Sequence, residues 1–419
     1  MSSYAKKTRI KKAKPEDYVS AIDKLTESFI SAIEDKNIAP WHCISVNRGD
    51  IFRSANLLYN NPYSGFNRIS TNSSLERNQN LSVEKYEEAK ERYGDQVAAA
   101  LRSKFITFNK ISEVIDPDES GNKANIKGIS STATIYQPGS LYYSYPDGRK
   151  WVKKDEKGNF SLPSKDDIER LNLKAHRFSG SAKPVWSVLN FVGRIPEEYI
   201  KRIEKSIANL NLPPLPESAN DFKTLSEDLA ESMGLKIVDT DVDTHSVMAG
   251  GYYDLEKDSV MMRPFFLHNN PDRYFKTVAH ECGHASGSEK RLSRESLLNY
   301  SDKEQMCREE LVAEITSSFI CSYFGIPTEN FHHEAYIKSY VKLLKDSKKE
   351  ILSASREAEK AADYVINMYE KFYEKKYGVN ISQKISSQMY DEDPDNEPSV
   401  EGDEEKTKNP SPPSTSYTI

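Results

Sequence analysis

The stretch TVAHECGHASG, residues 277–287, decides how the C-terminal half of this chain of 419 residues is interpreted. It contains the pattern H-E-x-x-H, in which His280 and His284 are four residues apart. Pro271 upstream suits the first turn of a helix and Gly287 suits its end. On a helix the two imidazoles lie one turn apart on one face, where they can bind one metal ion. We therefore predict a helical metal site, with zinc as the default ion.

Glu281 lies inside the same pattern and is placed to act as the catalytic acid and base of a hydrolase. The alternative is a surface helix with two solvated histidines, because a pattern of five letters also arises by chance. The neighbouring Phe275 and Val278 are too apolar for a fully exposed helix. Gly283 costs about 1 kcal/mol of helix stability, which is understandable if another helix packs closely against it.

A third metal ligand is expected from CREELVAEITSSFIC, residues 307–321. Small and carboxylate side chains share one stripe of this predicted helix, namely Cys307, Glu310, Glu314, Ser317 and Cys321. We predict that Glu310 binds the metal and that Glu314, one turn further, holds a ligand histidine by its second ring nitrogen. Glu309 points elsewhere on the helical wheel and is the weaker candidate. The choice among these three acids stays open, and a solvated helix face is the alternative.

The segment GGYYDLEKDSVMMRPFF, residues 250–266, predicts a strand, a turn and a second strand directly before the metal helix. Zinc peptidases usually lay an extended substrate along an edge strand beside that helix. Tyr253 is therefore a possible oxyanion-stabilising residue. The alternative is that the tyrosines of this segment only pack.

Composition and charge restrict the class of protein. No stretch approaches the roughly 20 apolar residues of a membrane helix, and the four cysteines form no CxxC pair, which favours a reducing, cytoplasmic setting. The net charge of −6 is uneven, because residues 390–419 carry nine acidic residues against two lysines, which leaves +1 for the rest. Six basic residues lie between Lys6 and Lys14. The body of the chain is thus compatible with a polyanionic partner.

Several motifs together resemble the ArdC-type antirestriction proteins. They are YFKTVAHECGHASGSEKRLSR (274–294), REELVAEITSSFICSYFGI (308–326), PWHCISVN (40–47), NPYSGFN (61–67) and VWSVLNFVGRIPEEY (185–199). Members of that family pair an N-terminal single-stranded-DNA-binding domain with a zincin-like metallopeptidase domain. The resemblance implies that His280 and His284 bind the metal, that Glu281 is catalytic, and that an acid of EELVAE is the third ligand.

The resemblance also implies an α+β fold of two domains, the C-terminal one a zincin-like metallopeptidase fold with an HExxH helix. We expect a flexible basic arm (1–15), an ArdC-like DNA-binding domain (16–205), a linker (206–221), the metallopeptidase domain (222–378) and an acidic disordered tail (379–419). Suitable DNA-binding side chains are aromatic groups that stack on bases and cations that follow phosphates, namely Arg53, Tyr63, Arg68, Tyr143, Arg149, Lys150 and Trp151. The alternative is that these aromatic residues fill a small core.

The resulting hypothesis is an antirestriction-type protein of a mobile genetic element. It would bind single-stranded DNA and carry a zinc metallopeptidase that acts on an unknown protein or peptide. One alternative is a cytoplasmic zinc protease that acts on DNA-associated proteins. Another is a non-catalytic DNA-binding protein with a structural metal. The presence of Glu281 argues against it, because a structural site does not need that acid.

Overall fold

The computed structural model describes residues 21–36, 39–41, 54–60, 62–77, 79–137, 141–154, 160–177, 181–208, 214–240, 250–268, 270–328 and 334–381. The predicted basic arm (1–15), residues 382–419 of the predicted acidic tail, and Arg53 lie outside these residues.

Helices outnumber strands in the described chain. The helices are α1 (Ala21–Lys36), α2 (Gly65–Arg77), α3 (Gln79–Tyr93), α4 (Asp95–Arg102), α5 (Phe108–Val114), α6 (Lys165–Arg170), α7 (Glu197–Ala208), α8 (Ala219–Ser232), α9 (Pro271–Ser286), α10 (Glu295–Leu298), α11 (Lys303–Tyr323), α12 (Glu334–Asp346) and α13 (Glu350–Tyr377). The strands are β1 (Ala55–Asn56), β2 (Lys104–Thr107), β3 (Ala133–Gln137), β4 (Leu141–Ser144), β5 (Lys153–Lys154), β6 (Phe160–Ser161), β7 (Lys174–Arg177), β8 (Ser181–Ser187), β9 (Lys236–Asp239), β10 (Gly251–Asp254) and β11 (Ser259–Met262).

The chain divides into two compact units. Of the described residues, the smaller unit contains 21–28 and those from Tyr136 to Ala182. Within it β4 pairs with β7 in antiparallel register, and β5 pairs with β6. Helix α6 begins where the hydroxyl of Ser164 accepts a hydrogen bond from the backbone of Asp167, a standard N-cap.

Of the described residues, the larger unit contains those from Phe29 to Ile135 and from Lys183 to Ile381. Its first sheet has the strand order β1-β2-β8-β3. Apolar side chains of α4, β2, α5, α7, β8 and the segment that follows β8 form one hydrophobic cluster, including Leu101, Ile106, Ile111, Trp186, Phe191 and Ile200. The indole of Trp186 is buried, and its Nε1 donates to the carbonyl of Ile129 at 3.2 Å, so the buried donor is satisfied.

The second sheet of the larger unit has the order β10-β11-β9. Strand β11 pairs antiparallel with β10 and parallel with β9, which leaves β10 at an edge of the described sheet. Helices α8, α9, α11 and α13 pack against one another beside this sheet. The strand–turn–strand prediction for residues 250–266 is thus confirmed by β10 and β11.

Helix α2 packs against α13, although some 280 residues of chain separate them. The backbone N–H of Gly65 donates to Glu359 Oε2 at 2.7 Å. The guanidinium of Arg68 lies 3.8 Å from the ring centre of Phe319 and 3.8 Å from Glu359 Oε1. Arg68 is 1% exposed, so its prediction as a DNA-binding residue is wrong: its cation is enclosed by protein groups.

The residues that precede and those that follow the predicted linker (206–221) belong to the same compact unit. The predicted division into a DNA-binding domain and a metallopeptidase domain stays a prediction. The overall class is confirmed as mixed helix and sheet, with the HExxH helix at the centre of the C-terminal part. No helix of the described residues is long and apolar enough to cross a membrane.

Candidate metal centre

Helix α9 begins at Pro271 and ends at Ser286, as the sequence predicts for the HExxH helix. At Gly283 it touches α11, because a Cβ added there would lie 3.3 Å from both Cα and O of Ala313 and 3.4 Å from Cβ of Thr316. The predicted close helix contact is confirmed. The contacting residues of α11 are Ala313 and Thr316. Glu310 and Glu314 of the same helix lie near His280.

Three side chains converge between these helices. His280 Nε2 and His284 Nε2 are 3.1 Å apart. Glu310 places Oε2 at 3.6 Å from His280 Nε2 and Oε1 at 3.6 Å from His284 Nε2. Ligand atoms of the three residues all lie within 4.8 Å of one another, and all three side chains are buried. Two imidazoles and one carboxylate, with a position left open, are the donor set of catalytic zinc sites, so these residues fit a divalent ion.

The electrostatics favour a cation at this point. Burial alone lowers the pKa of His280, but hydrogen bonds to the carboxylates of Glu310 and Glu314 outweigh it and hold the pKa well above its usual value. Burial alone raises the pKa of Glu310, yet the two histidines and Tyr300 bring it below its usual value. The surrounding negative charge thus stabilises any positive charge between the ring nitrogens.

Each histidine also contacts a carboxylate through its other ring nitrogen. His280 Nδ1 lies 3.3 Å from Glu314 Oε2, which is where the sequence places Glu314. His284 Nδ1 lies 3.0 Å from Glu309 Oε1. With a metal ion bound, each Nδ1 would carry the hydrogen next to its carboxylate, which can only accept, and each Nε2 would present its lone pair to the ion. The expectation that Glu309 points away from the site is therefore wrong.

Glu309 is fully buried and has three kinds of donor around it. Arg294 donates to both of its oxygens, from Nε at 2.7 Å and from Nη2, and Ser296 donates to Oε2 at 2.6 Å. Burial alone raises the pKa of Glu309, but Arg294 and the bonded side chains hold it well below the usual range. Arg294 Nη2 also donates to the carbonyl of Gly283 at 2.8 Å, which ties this carboxylate to the metal helix.

Sequence reasoning missed Arg294, Ser296 and Tyr300 as members of the site. The hydroxyl of Tyr300 donates to Glu310 Oε1, and its ring lies 6.2 Å from that of His284 at right angles. The sequence did contain one indication of Arg294, because this residue ends the KRLSR run between α9 and α11. No periodicity connects that turn to α11, so the pairing depends on the tertiary fold.

Tyr253 has a different role from the predicted one. It is 0% exposed, and its hydroxyl donates to Asp258 Oδ1 at 2.6 Å. Arg291 donates to the same carboxylate, from Nη1 to Oδ1 at 2.8 Å and from Nη2 to Oδ2 at 3.1 Å. A hydroxyl has one hydrogen to donate, so the oxyanion role predicted for Tyr253 is wrong. The residue instead joins the β10–β11 turn to the segment that follows α9.

The edge strand runs alongside the metal helix. At its start, a Cβ on Gly251 would lie 3.2 Å from Cγ2 of Thr277, one turn before His280. At its end, Asp258 in the turn bonds to Arg291, beyond the last turn of α9. The segment from Gly251 to the β10–β11 turn therefore contacts α9 before the HExxH motif and the chain after the end of α9. Glu281 is buried on the same helix, between the two ligand histidines in sequence.

The residues predicted to bind DNA are distributed unevenly. In the smaller unit Tyr143 is half-buried and Arg149 and Lys150 are exposed, whereas Trp151 is only 8% exposed and presents too little face for base stacking. In the larger unit, Tyr63 is half-buried with its ring edge-on to Phe105 at 6.1 Å. Arg149 and Lys150 are thus the exposed members of the predicted set among the described residues, and their DNA-binding role stays a prediction.

A cationic aromatic face does occur in the smaller unit. The rings of Tyr142 and His176 are stacked at 5.1 Å across the β4–β7 pair, and Ser144 lies 2.8 Å from His176 Nε2. The ammonium of Lys150 lies 5.1 Å from the ring centre of Tyr142. The side chain of Arg149 is 77% exposed and lies beside Asp147. These groups form what we call the Tyr142 face.

Comparison with known proteins gives a consistent result. Residues 231–357 match the sequence model of the zincin-like metallopeptidase family. A DNA primase TraC of Escherichia coli is 32% identical over 158 residues, which are 37% of this chain and 10% of that protein. The uncharacterized protein y4eC of Sinorhizobium fredii is 31% identical over 115 residues, 27% of this chain and 37% of that protein. The chain thus spans only a tenth to about a third of these relatives.

The solved structures extend the likeness beyond the metal centre. The Mn(II)-bound antirestriction ArdC protein from plasmid R388 has a TM-score of 0.50 to this chain at 19% identity, covering 84% of this chain and all of that one. Its metal-free form has a TM-score of 0.49. The fold part of the resemblance stated from the sequence is thereby confirmed.

Proposed function

We propose, from a chain that has the ArdC fold and a zincin-like metallopeptidase region, that this protein is an antirestriction-type protein of a mobile genetic element. It binds single-stranded DNA and carries a zinc-dependent metallopeptidase. The observation that carries the proposal is the convergence of His280, His284 and Glu310, with each histidine oriented by its own buried glutamate. A divalent ion is supported by this donor set, and zinc is the specific proposal.

The proposed chemistry assigns a role to each residue of the candidate metal centre. A bound divalent ion would supply Lewis acidity to a substrate carbonyl. Glu309 and Glu314 keep the lone pairs of the two ligand histidines aimed at one point. Glu281 accepts a proton from the attacking water and returns it to the leaving amine. Strand β10 offers an edge along which an extended peptide can pair.

Replacement of Glu281 tests the enzymatic part. In Glu281→Gln we expect metal content to stay near that of the parent, while cleavage of a denatured protein and self-cleavage fall by about 10²–10⁴-fold, the usual contribution of an acid–base group. The matched control is Glu289→Gln, an exposed glutamate shortly after the motif. Unchanged cleavage by Glu281→Gln would remove Glu281 from the mechanism.

The same variant separates the competing functions. If protection of incoming DNA from restriction survives in Glu281→Gln, antirestriction does not need the peptidase. If protection is lost together with cleavage, the peptidase is the effector. A protein that cleaves DNA-associated proteins but gives no protection would favour the cytoplasmic protease alternative. A metal-loaded protein without cleavage would favour the structural-metal alternative.

The Tyr142 face supports the DNA-binding part of the proposal. Aromatic rings stack on unpaired bases, and nearby cations follow the phosphates. Tyr142 and His176 on the β4–β7 pair, with Lys150 beside the ring of Tyr142, provide both kinds of group. Bases of a duplex hide their faces, so such a surface would prefer single strands.

A further inference from the structure

The carboxylate of Glu310 has two different neighbours. Its Oε2 faces His280 Nε2 at 3.6 Å, and its Oε1 faces His284 Nε2 at the same distance. Oε1 also accepts the hydrogen bond from the hydroxyl of Tyr300. The two oxygens are therefore not equivalent, because one of them already has a fixed donor.

Tyr300 is held in this position by its own surroundings. It lies between α10 and α11, where its backbone N–H donates to the carbonyl of Leu297 at 3.2 Å. Two residues later the side chain of Asp302 caps α11 by accepting from the backbone of Glu304 and Gln305. The ring stands at right angles to that of His284, at 6.2 Å. A short segment anchored at both ends thus sets the direction of the hydroxyl.

The neutral hydroxyl of Tyr300 is a suitable hydrogen-bond donor for Glu310 as a metal ligand. The histidines have carboxylates on their outer nitrogens, whereas the anionic Glu310 needs a donor. A lysine or arginine there would compete with the metal ion for the charge of Glu310. A neutral phenol orients one oxygen by a single hydrogen bond and leaves the carboxylate's charge to the metal ion.

We infer that Tyr300 is a positioning residue of the metal centre, which holds Glu310 Oε1 so that Glu310 binds the ion through one oxygen and a coordination position stays open. The inference rests on the proposed metal centre and concerns none of the DNA-binding residues. An open position distinguishes a catalytic site from a closed structural one. Tyr300 therefore acts on the reaction through Glu310.

The test uses the full-length protein, freed of metal by a chelator and titrated with Mn²⁺. The affinity is measured by competition, and the number of metal-bound waters by water-proton relaxation. We expect Tyr300→Phe to weaken Mn²⁺ binding about 10–100-fold, as for other outer partners of ligands. We also expect about one bound water fewer, because a released Glu310 can bind through both oxygens. The control is Tyr377→Phe, because the hydroxyl of Tyr377 donates to Asp228 Oδ2 at 2.7 Å and to no metal ligand. We expect this variant to change neither the Mn²⁺ affinity nor the number of bound waters.

A double-mutant cycle keeps the test independent of any loss of stability. If Tyr300 acts through Glu310, Tyr300→Phe adds no further loss of affinity in a Glu310→Gln background. An additive loss, or an affinity and water number in Tyr300→Phe equal to those of the parent, overturns the inference while the metal centre stands. Failure of the parent itself to bind Mn²⁺ overturns the metal centre and the inference together.

Discussion

Glu309 Oε1 lies 3.0 Å from Nδ1 of His284 and holds that ring from the side opposite the metal position. The same carboxylate is bonded by Arg294, which in turn bonds the carbonyl of Gly283 on the metal helix. The turn after α9 is thus part of the metal centre. An ion pair buried this deeply stabilises the fold only while both partners are present.

The first prediction follows from this contact. Glu309→Gln should weaken divalent metal binding about 10–100-fold, because His284 loses its charged outer partner. It should also lower the free energy of unfolding by about 3–5 kcal/mol, since Arg294 is left as an unpaired buried cation. Metal titration and chemical denaturation measure the two effects. The control is Glu304→Gln, an exposed residue of the same helix, and equal behaviour of the two variants would contradict the assignment of Glu309.

The second prediction concerns metal content. Purified protein should hold about one divalent ion per chain, with zinc expected as the ion, and His280→Ala or His284→Ala should lose it. Elemental analysis after dialysis measures the ratio. His268→Ala is the control, because His268 is half-buried and bonds the carbonyl of Arg263 at 3.2 Å. Full metal content in the His280→Ala/His284→Ala double variant would exclude this site.

The third prediction concerns DNA and uses the full chain, because residues 29–135 share a compact unit with the C-terminal part. Single-stranded DNA should be bound more tightly than duplex, and Tyr142→Ala should cost about 1–3 kcal/mol of binding free energy. In the double variant Arg149→Ala/Lys150→Ala, the slope of log K against log salt concentration should become less negative. The expected change is about 0.7 for each phosphate that the variant no longer neutralises.

Its control is Lys123→Ala with Lys127→Ala, two exposed lysines of the larger unit. Titrations at several salt concentrations, with single strands and duplex of one sequence, provide the measurement. If the control pair changed the salt dependence as much as the Arg149 and Lys150 pair does, the Tyr142 face would not be the DNA-binding surface. Equal affinity for the two forms of DNA would contradict base stacking.

The fourth prediction concerns pH and a buried lysine. Burial lowers the pKa of Lys104 from 10.5 to about 8. Below pH 8 the ammonium is charged in both the folded and the unfolded chain, so its burial penalty is fully present. Between pH 8 and about 10.5 the unfolded chain binds more protons, so stability rises with pH.

Lys104→Met should therefore stabilise the protein at pH 7, by up to about 3 kcal/mol at 1.36 kcal/mol per pKa unit. The advantage should disappear above about pH 10.5. Urea denaturation of the parent and the variant at pH 7, 9 and 10.5 gives the comparison. Lys127→Met, at an exposed lysine, should show no such trend. A pH-independent difference would mean that the effect of Lys104 comes from packing.

The sequence alone determined the local parts of this protein. The HExxH helix, its start at Pro271, the close contact at Gly283, the two strands before it and the placement of Glu314 all follow from spacing and helix geometry. These features depend on the helical period of 3.6 residues and the strand period of 2 residues, which can be recognised in the sequence directly.

Tertiary structure alone decided which polar side chains meet. Glu309 lies one residue from the predicted ligand, yet a helical wheel does not show that His284 and Arg294 approach it from another helix and a turn. Arg68 is suited in kind to a phosphate but is enclosed by Phe319 and Glu359, which are about 250 and 290 residues away in the chain. Such pairings depend on how elements distant in sequence pack together, and no local pattern encodes that packing.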